Sequence, residues 1–352
     1  MFSPKYNLSD TIVTSLTAIA EARALIERAR ILPQQELRLR RQALARMTHS
    51  STAIEGNALD LYQVEALLAH KKVVAAERDI YEVQNYLNAM RYIEKVVAEK
   101  KTITGAVILR IHKLVTHKTL PPEQSGKYRT GPVYVVRRRL VGRPQEIMYT
   151  GPEATQVPQL TSDLVAWITE SEPKEIHPII VAGIVHQEIA AIHPFTDGNG
   201  RTARAVATLV LYQRGYDFRR LFALEDYYNE DRPSYYAAIN IGKNYTERRV
   251  DFTPWLEYFI RGFEHEIMEV KDTVASLAAK GIGKEAGQQI FLDKDQLKVI
   301  DFIEHVGRIT TKDVMDILNC PQRTAQLYLK RLKEMDIITP VGKGPATYYT
   351  LK

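Results

Sequence analysis

The sequence is poor in cysteine, in long apolar runs and in charge of one sign. Cys320 is the single cysteine among 352 residues. No disulfide closes within the chain, and a reducing, cytoplasmic location is expected. Beside Pro321 and without a cysteine partner, Cys320 reads as a packing residue. No apolar stretch approaches the roughly 18 residues that a spanning helix needs, so no membrane partner is expected. The opening residues lack a basic start followed by an apolar block and a small-residue cleavage site, so no signal peptide is expected. Internal repeats and low-complexity tracts are absent too. The net charge of +6 fits nucleic acid, nucleotide or acidic protein partners and decides among none of them.

What is present is ordinary for a protein with a buried core: 45% apolar and 26% charged residues. The length allows two or three domains. Helical periodicity dominates. Ile12, Leu16, Ile19, Arg23 and Ile26 mark a first helix, which Pro33 breaks. Leu39, Ala43, Met47 and Ile54 mark a second, ended at Gly56 or Asn57. A third follows Asp60, a fourth runs from Ile80 to Val97, and "TGAVILRIHKLVTHK" is a fifth. The glycine- and proline-rich stretch from Gly126 to Glu153 carries "VYVV" and "EIMYT" around a Gly-Arg-Pro turn, the pattern of a β-hairpin. Helices resume at "VPQLTSDLVAWITE" and extend to about Lys280, and "AAKGIGKEAGQQ" reads as a linker.

Beyond the linker, a helix, a helix-turn-helix and two short strands around "GKGP" describe a winged helix. In that fold the helix from Arg323 to Met335 enters a DNA major groove and the wing touches the backbone. From Pro321 onward there are six basic residues (Arg323, Lys330, Arg331, Lys333, Lys343, Lys352) against two acids (Glu334, Asp336). DNA binding and protein contact are both open for this segment.

The chemistry concentrates in "HPFTDGNGRTAR", from His193 to Arg204. An apolar helical run precedes it and a second helical run follows, so the loop feeds a helix N-terminus. Free backbone N–H groups there attract anions, and glycines let a phosphate approach the backbone. Arg201 and Arg204, three apart, share a face of the first turn and suit phosphate oxygens. Asp197 is a hard oxygen ligand for a magnesium ion that also holds phosphates. Asn199 can donate its amide to a phosphate oxygen. His193 is placed to take a proton from a hydroxyl. Phe195 reads as the apolar anchor of the loop. No Gly-Lys-Ser/Thr follows, so this is not a Walker-type P-loop. His112 and His117 lack a metal-like arrangement and read as ordinary residues, while His186 faces the core and supports the loop.

The twelve residues resemble the signature of the Fic proteins, His-x-Phe-x-Asp/Glu-Gly-Asn-Gly-Arg-x-x-Arg, at every defined position. "IHP" at Ile176 to Pro178, His186 and "AIHPF" match the context, and the resemblance covers residues 50–245. It implies a helical core with a β-hairpin flap and transfer of AMP from ATP, with Mg²⁺, to a protein hydroxyl. His193 would be the general base and Asp197 the magnesium ligand. Gly198, Asn199, Gly200 and Arg201 would hold the phosphates, and Arg204 would meet the γ-phosphate. The hairpin from Tyr134 to Thr150 would align the target by strand addition, with Gly142, Ile147, Met148 and Tyr149 as its docking residues. Tyr235 and Tyr236 match a pair that lines the nucleotide side in relatives; as a bare pattern they are equally core.

Upstream, "SSTAIEGN" resembles the Fic inhibitory motif through Ser51, Glu55 and Gly56. Ser51 and Glu55 lie four apart and share a helix face. In relatives this glutamate pairs with the second signature arginine, here Arg204, and ATP then binds poorly. Alone, the pattern is equally a solvated glutamate before a helix cap. In some relatives the same glutamate positions water to remove AMP.

The expectation is thus a mainly α protein: a helical region at 1–100 with an inhibitory helix at 36–56, a catalytic domain at 101–278 and a winged helix at 290–352. The function expected is autoinhibited AMP transfer, with a homodimer plausible from the resemblance. The alternatives are removal of AMP, transfer of another nucleotide, or a nucleotide-sensing DNA-binding regulator.

Overall fold

A computed structural model describes residues 2–137, 146–240, 242–248, 251–282, 292–342, 344 and 347–352. The chain forms two compact units. One comprises Met1–Glu27 and Gln42–Lys271, the other Arg28–Arg41 and Asp272–Lys352. The expected division near residue 100 does not appear as a separate unit, and residues 28–41 belong with the C-terminal segment.

The elements of the larger unit follow the apolar spacing. Helix α1 (Asp10–Arg28) buries Ile12, Ile19, Ala22 and Ile26. Pro33, which lacks a useful N–H, opens α2 (Pro33–Ile54), so the helix starts and ends slightly earlier than 36–56. Gly56 stops it with a φ of +96° that side chains rarely adopt. Asp60 and Gln63 form a capping box at α3 (Leu61–Leu68). Then come α4 (Glu77–Ala98), α5 (Gly105–Val115), strands β1 (Tyr134–Arg137) and β2 (Glu146–Thr150), α6 (Val157–Glu170), α7 (Pro178–Ile192), α8 (Asn199–Gln213), α9 (Leu224–Glu230), α10 (Arg232–Ile239) and α11 (Thr253–Ile282). The strands pair antiparallel, Tyr134 facing Thr150 and Arg137 facing Glu146, with the register shifting between Val135 and Val136. The expected docking residue Gly142 lies outside the described residues, as does most of the expected linker; α11 continues into it as far as Ile282.

Helix α7 is the centre of this unit. It is buried on nearly every side, with Ile179, Ile180, Val181, Ile184, Val185 and Ile189 joined by His186, Gln187 and Glu188, as a helix surrounded by others must be. Helix α8 lies beside it, and α11 crosses close enough that Trp255 Nε1 donates to the Gly183 carbonyl at 2.7 Å. A methyl group at Gly183 would stand 2.8 Å from Leu256 Cδ2 and 3.1 Å from Phe259 Cδ1. Gly183→Ala therefore overpacks the core. It is expected to destabilise the fold by about 1–3 kcal/mol, read as a lower denaturation midpoint; an unchanged midpoint would refute the close packing.

The smaller unit takes α12 (Lys294–Val306), α13 (Thr311–Leu318), α14 (Gln322–Glu334) and the antiparallel strands β3 (Ile338–Val341) and β4 (Tyr348–Leu351). Asp293 with Gln296 and Thr310 with Asp313 cap the first two helices reciprocally. Its core holds Val299, Ile303, Val314, Leu329 and Leu332, together with Leu37 from the start of α2. Cys320 packs against that core, as expected of a packing residue.

Candidate active site

The signature loop connects the ends of α7 and α8. His193 closes α7 in the left-handed region, φ 48° and ψ 59°, and that reversal turns the chain outward. Four carbonyls around the turn are gathered by one side chain: Arg129 Nε donates to His193 O at 2.8 Å, Nη1 to Gly131 O at 2.8 Å, and Nη2 to Pro152 O at 2.6 Å and to Ile192 O at 3.5 Å. Nothing in the sequence singled out Arg129. Its partners are backbone oxygens, which leave no trace in residue spacing.

His193 Nδ1 lies 3.1 Å from the Ala190 carbonyl. A carbonyl only accepts, so Nδ1 carries the proton and Nε2 keeps its lone pair. Burial lowers the His193 pKa, because a charged imidazolium is poorly solvated there. The result is a neutral base with its free nitrogen oriented by the backbone.

The rest of the loop is held from inside. Asn199 Oδ1 accepts from Phe195 N at 2.9 Å and its Nδ2 donates to Phe195 O at 2.8 Å. The amide expected to reach a phosphate thus clasps the loop. Phe195 is fully buried and stacks on His112, with ring centres 3.7 Å apart. His112 is buried as well. Its Nδ1 accepts from Gly126 N at 2.9 Å, so its Nε2 donates to the Asp197 carbonyl at 3.0 Å. His112, expected to be an ordinary residue, supports the site. Gly198 has φ +76° and a Cβ there would meet Thr116 Cγ2 at 2.7 Å; the tight turn requires glycine.

Burial pushes the His112 pKa down to about 4, while an unfolded chain binds that proton near 6.5. Between those values the unfolded state holds more protons. The stability this group contributes is complete above about pH 6.5 and is lost as pH falls to about 4. The loss is roughly 3 kcal/mol at 1.36 kcal/mol per unit. Denaturant midpoints measured from pH 7 to 4 are expected to fall more steeply for the native chain than for His112→Gln. Parallel slopes would sink this assignment.

The charged residues meet on the α8 side. Arg204 is buried. Its Nε donates to Ser51 Oγ at 2.8 Å, and its Nη2 to Ser51 O and to Glu55 Oε1, each at 2.8 Å. The pairing of Glu55 with Arg204 that the resemblance implies is therefore present. The Glu55 carboxylate lies against the first turn of α8: a Cβ on Gly200 would stand 2.2 Å from Glu55 Oε1. Arg201 is also buried, 3.8 Å from Asp197 and 3.6 Å from Glu82, and its Nε and Nη1 have no hydrogen-bond partner. Such an arginine suits an anion. Asp197 accepts from Gly198 N through Oδ1 and faces Arg78 at 3.5 Å through Oδ2.

The tyrosines divide. Tyr235 is buried, with its hydroxyl 3.5 Å from Arg204 Nη1 and 3.0 Å from His186 Nε2. Tyr236 is half-exposed and donates to the Ile54 carbonyl at the end of α2, 3.1 Å away. In the flap, Ile147 is exposed and Met148 partly so, whereas Tyr149 turns inward and donates to Ala191 O at 2.8 Å. Tyr149 anchors the flap to α7 instead of presenting itself to a target. Among the described residues no cluster of three or more His, Cys, Asp or Glu side chains suits a metal. Asp197 alone fits a magnesium ion shared with substrate phosphates, which needs only one or two carboxylates. No helix among the described residues is long and apolar enough to cross a membrane.

Residues 102–211 match the Fic/DOC family. A protein adenylyltransferase fic-1 from Caenorhabditis briggsae is 28% identical over 76% of this chain and 48% of its own length. That of Caenorhabditis elegans is 30% identical over 65% of this chain and 42% of its own. This chain therefore spans less than half the length of these curated relatives. Among solved structures, a Fic family protein from Desulfovibrio desulfuricans G20 superposes with a TM-score of 0.64 and 26% identity, covering 100% of this chain and 98% of that one. The matched segment, residues 102–211, includes the loop from His193 to Arg204, and through that segment this chain is similar to the Fic/DOC family.

Proposed function

We propose that this protein transfers AMP from ATP to a Tyr, Thr or Ser hydroxyl of a protein target, and that Glu55 restrains the reaction. The observation that carries the proposal is the folded signature loop. It carries His193, whose Nδ1 faces the Ala190 carbonyl, and two buried arginines, one with unpartnered nitrogens and one paired with Glu55. Arg201, Arg204 and the N–H groups opening α8 bind the triphosphate. His193 Nε2 takes the proton of the target hydroxyl, and that oxygen attacks the α-phosphorus. The bond from the α-phosphorus to the bridging oxygen breaks and pyrophosphate leaves. Asp197 would hold Mg²⁺, which neutralises phosphate charge when bound. Ile147 and Met148 of the hairpin would align the target as an added strand. Cytoplasmic location and a homodimer remain part of this reading.

The test supplies the Glu55→Gly chain with ATP labelled at the α- or the γ-phosphate, with Mg²⁺ and cell extract. Protein-bound α-label without γ-label supports AMP transfer. Retention of γ-label would mean phosphoryl transfer, and no label would turn attention to AMP removal from a modified target.

A second reading rests on α14. Arg323, Lys330, Arg331 and Lys333 are all exposed on it, as a helix that meets DNA phosphates requires. Retention on mixed-sequence DNA that weakens steeply with added salt would support a DNA-binding regulator. Absence of retention would leave this unit as a protein-contact module.

A further inference from the structure

One buried carboxylate on α4 reaches both halves of the site. Glu82 is 6% exposed, and such a charge persists only with partners. Its Oε2 accepts from Asn57 Nδ2 at 3.0 Å. Its Oε1 accepts from Arg78 Nε at 3.1 Å and lies 3.6 Å from Arg201 Nη1.

The two arms lead to different places. Asn57 stands two residues after Glu55 in the turn that ends α2. Its amide nitrogen also donates to Asp79 O at 3.1 Å, its side-chain oxygen accepts from Leu59 N at 3.1 Å, and its backbone N–H donates to Thr52 O at 3.2 Å. Asn57 thereby fastens the turn carrying Glu55 to α4. The other arm meets Arg201, whose Nε and Nη1 lack hydrogen-bond partners. Glu82 and Asp197 are the carboxylates beside this guanidinium, and Asp197 already faces Arg78.

We propose that Glu82 is a positioning residue that joins the phosphate-binding arginine to the inhibitory turn: one oxygen orients Arg201 and the other fixes Asn57, and through it Glu55. This rests on the nucleotide reading of the site and adds how its restraint is held. Since one carboxylate serves both arms, nucleotide phosphates and the turn are thermodynamically linked, each altering the hold on the other. Glu82→Gln keeps the shape but leaves one oxygen where two accepted. Asn57→Ala releases the turn alone.

The experiment is calorimetric titration of the full chain with Mg·ATP and, separately, with adenosine, which lacks phosphates. The affinity ratio reads the phosphate-binding arginines. In the Glu55→Gly background, Glu82→Gln is expected to weaken ATP about tenfold, with adenosine unchanged. In the chain that keeps Glu55, Asn57→Ala is expected to raise the ratio several-fold by releasing Arg204. In Glu55→Gly the same change should have no effect. Equal loss of ATP and adenosine in Glu82→Gln would make Glu82 merely structural, and no loss would free Arg201 from it. An unaltered ratio in Asn57→Ala would overturn the turn arm, even if Glu82→Gln folds poorly. These are binding measurements, so they stand whether or not AMP transfer is observed. Absence of ATP binding in every variant would instead refute the nucleotide reading itself.

Discussion

Glu55→Gly is expected to raise AMP incorporation by roughly ten- to a hundredfold. The size follows from the bond that is lost. Arg204 is buried and meets Glu55 at 2.8 Å, and a charge-assisted hydrogen bond of this kind contributes about 1.5–3 kcal/mol. Every 1.4 kcal/mol is a factor of ten in an equilibrium. Two effects act in the same direction. The substitution frees an arginine for the γ-phosphate, and it removes a carboxylate lying 2.2 Å from where a Cβ of Gly200 would stand. An anion displaces an anion at the start of α8. The same variant should be less stable without nucleotide, because Arg204 loses its carboxylate and keeps only Ser51 and Tyr235. Saturating Mg·ATP should restore much of the melting temperature. Quantifying α-labelled product alongside thermal melts checks both. A variant no faster than the native chain, yet able to bind ATP, would show that Glu55 does not restrain the site.

The second large effect is a loss. Glu55→Gly/His193→Ala is expected to transfer AMP at least a hundredfold more slowly than Glu55→Gly, since a positioned general base contributes 10²–10⁴. Its affinity for ATP should hardly change, because in the proposed reaction His193 meets the hydroxyl and the arginines hold the phosphates. The pH profile separates a base from a prop. Burial holds the His193 pKa below its ordinary value, and Glu55 acts in the opposite direction. Removing Glu55 therefore lowers that pKa further. The rate in Glu55→Gly should stay level through neutral pH, then fall as acid protonates the imidazole below about 6.5. The His193→Ala residue of activity should lack that acid limb. A profile identical in the two variants would assign the proton transfer to another group.

The site was legible in the sequence where chemistry imposes spacing. A loop with glycines and two arginines three apart, entering a helix, is local; so is a serine four residues before a glutamate. The pairing of Glu55 with Arg204 came from resemblance, since 149 residues separate the partners. The supports were hidden for a physical reason. Arg129 binds carbonyls, His112 works through a ring stack and a carbonyl, and Glu82 matters only through residues in two other parts of the chain. None of these demands a repeat or a fixed spacing. Adjacent Tyr235 and Tyr236 show the limit from the other side. Identical letters on one helix serve different ends, because α10 sends one side chain inward and leaves the other at the edge of α2. The fold was easier to read: apolar periodicity marks α1 to α8 well, and a proline or capping residue marks most of their starts.

The division of the chain has a practical consequence for anyone who would dissect it. The smaller unit is discontinuous, built from Arg28–Arg41 and Asp272–Lys352. No single cut releases it whole. A chain shortened at residue 271 would keep Leu37 while discarding the apolar neighbours that cover it, and would leave Arg40 without Asp301, 3.3 Å away. The first half of α2 would fray, and the same helix carries Ser51 and ends at Ile54, one residue before Glu55. Higher activity in such a fragment would then report a melted helix and not the absence of a bound regulator. Point substitutions on the exposed face of α14 separate the two explanations; deletion confounds them.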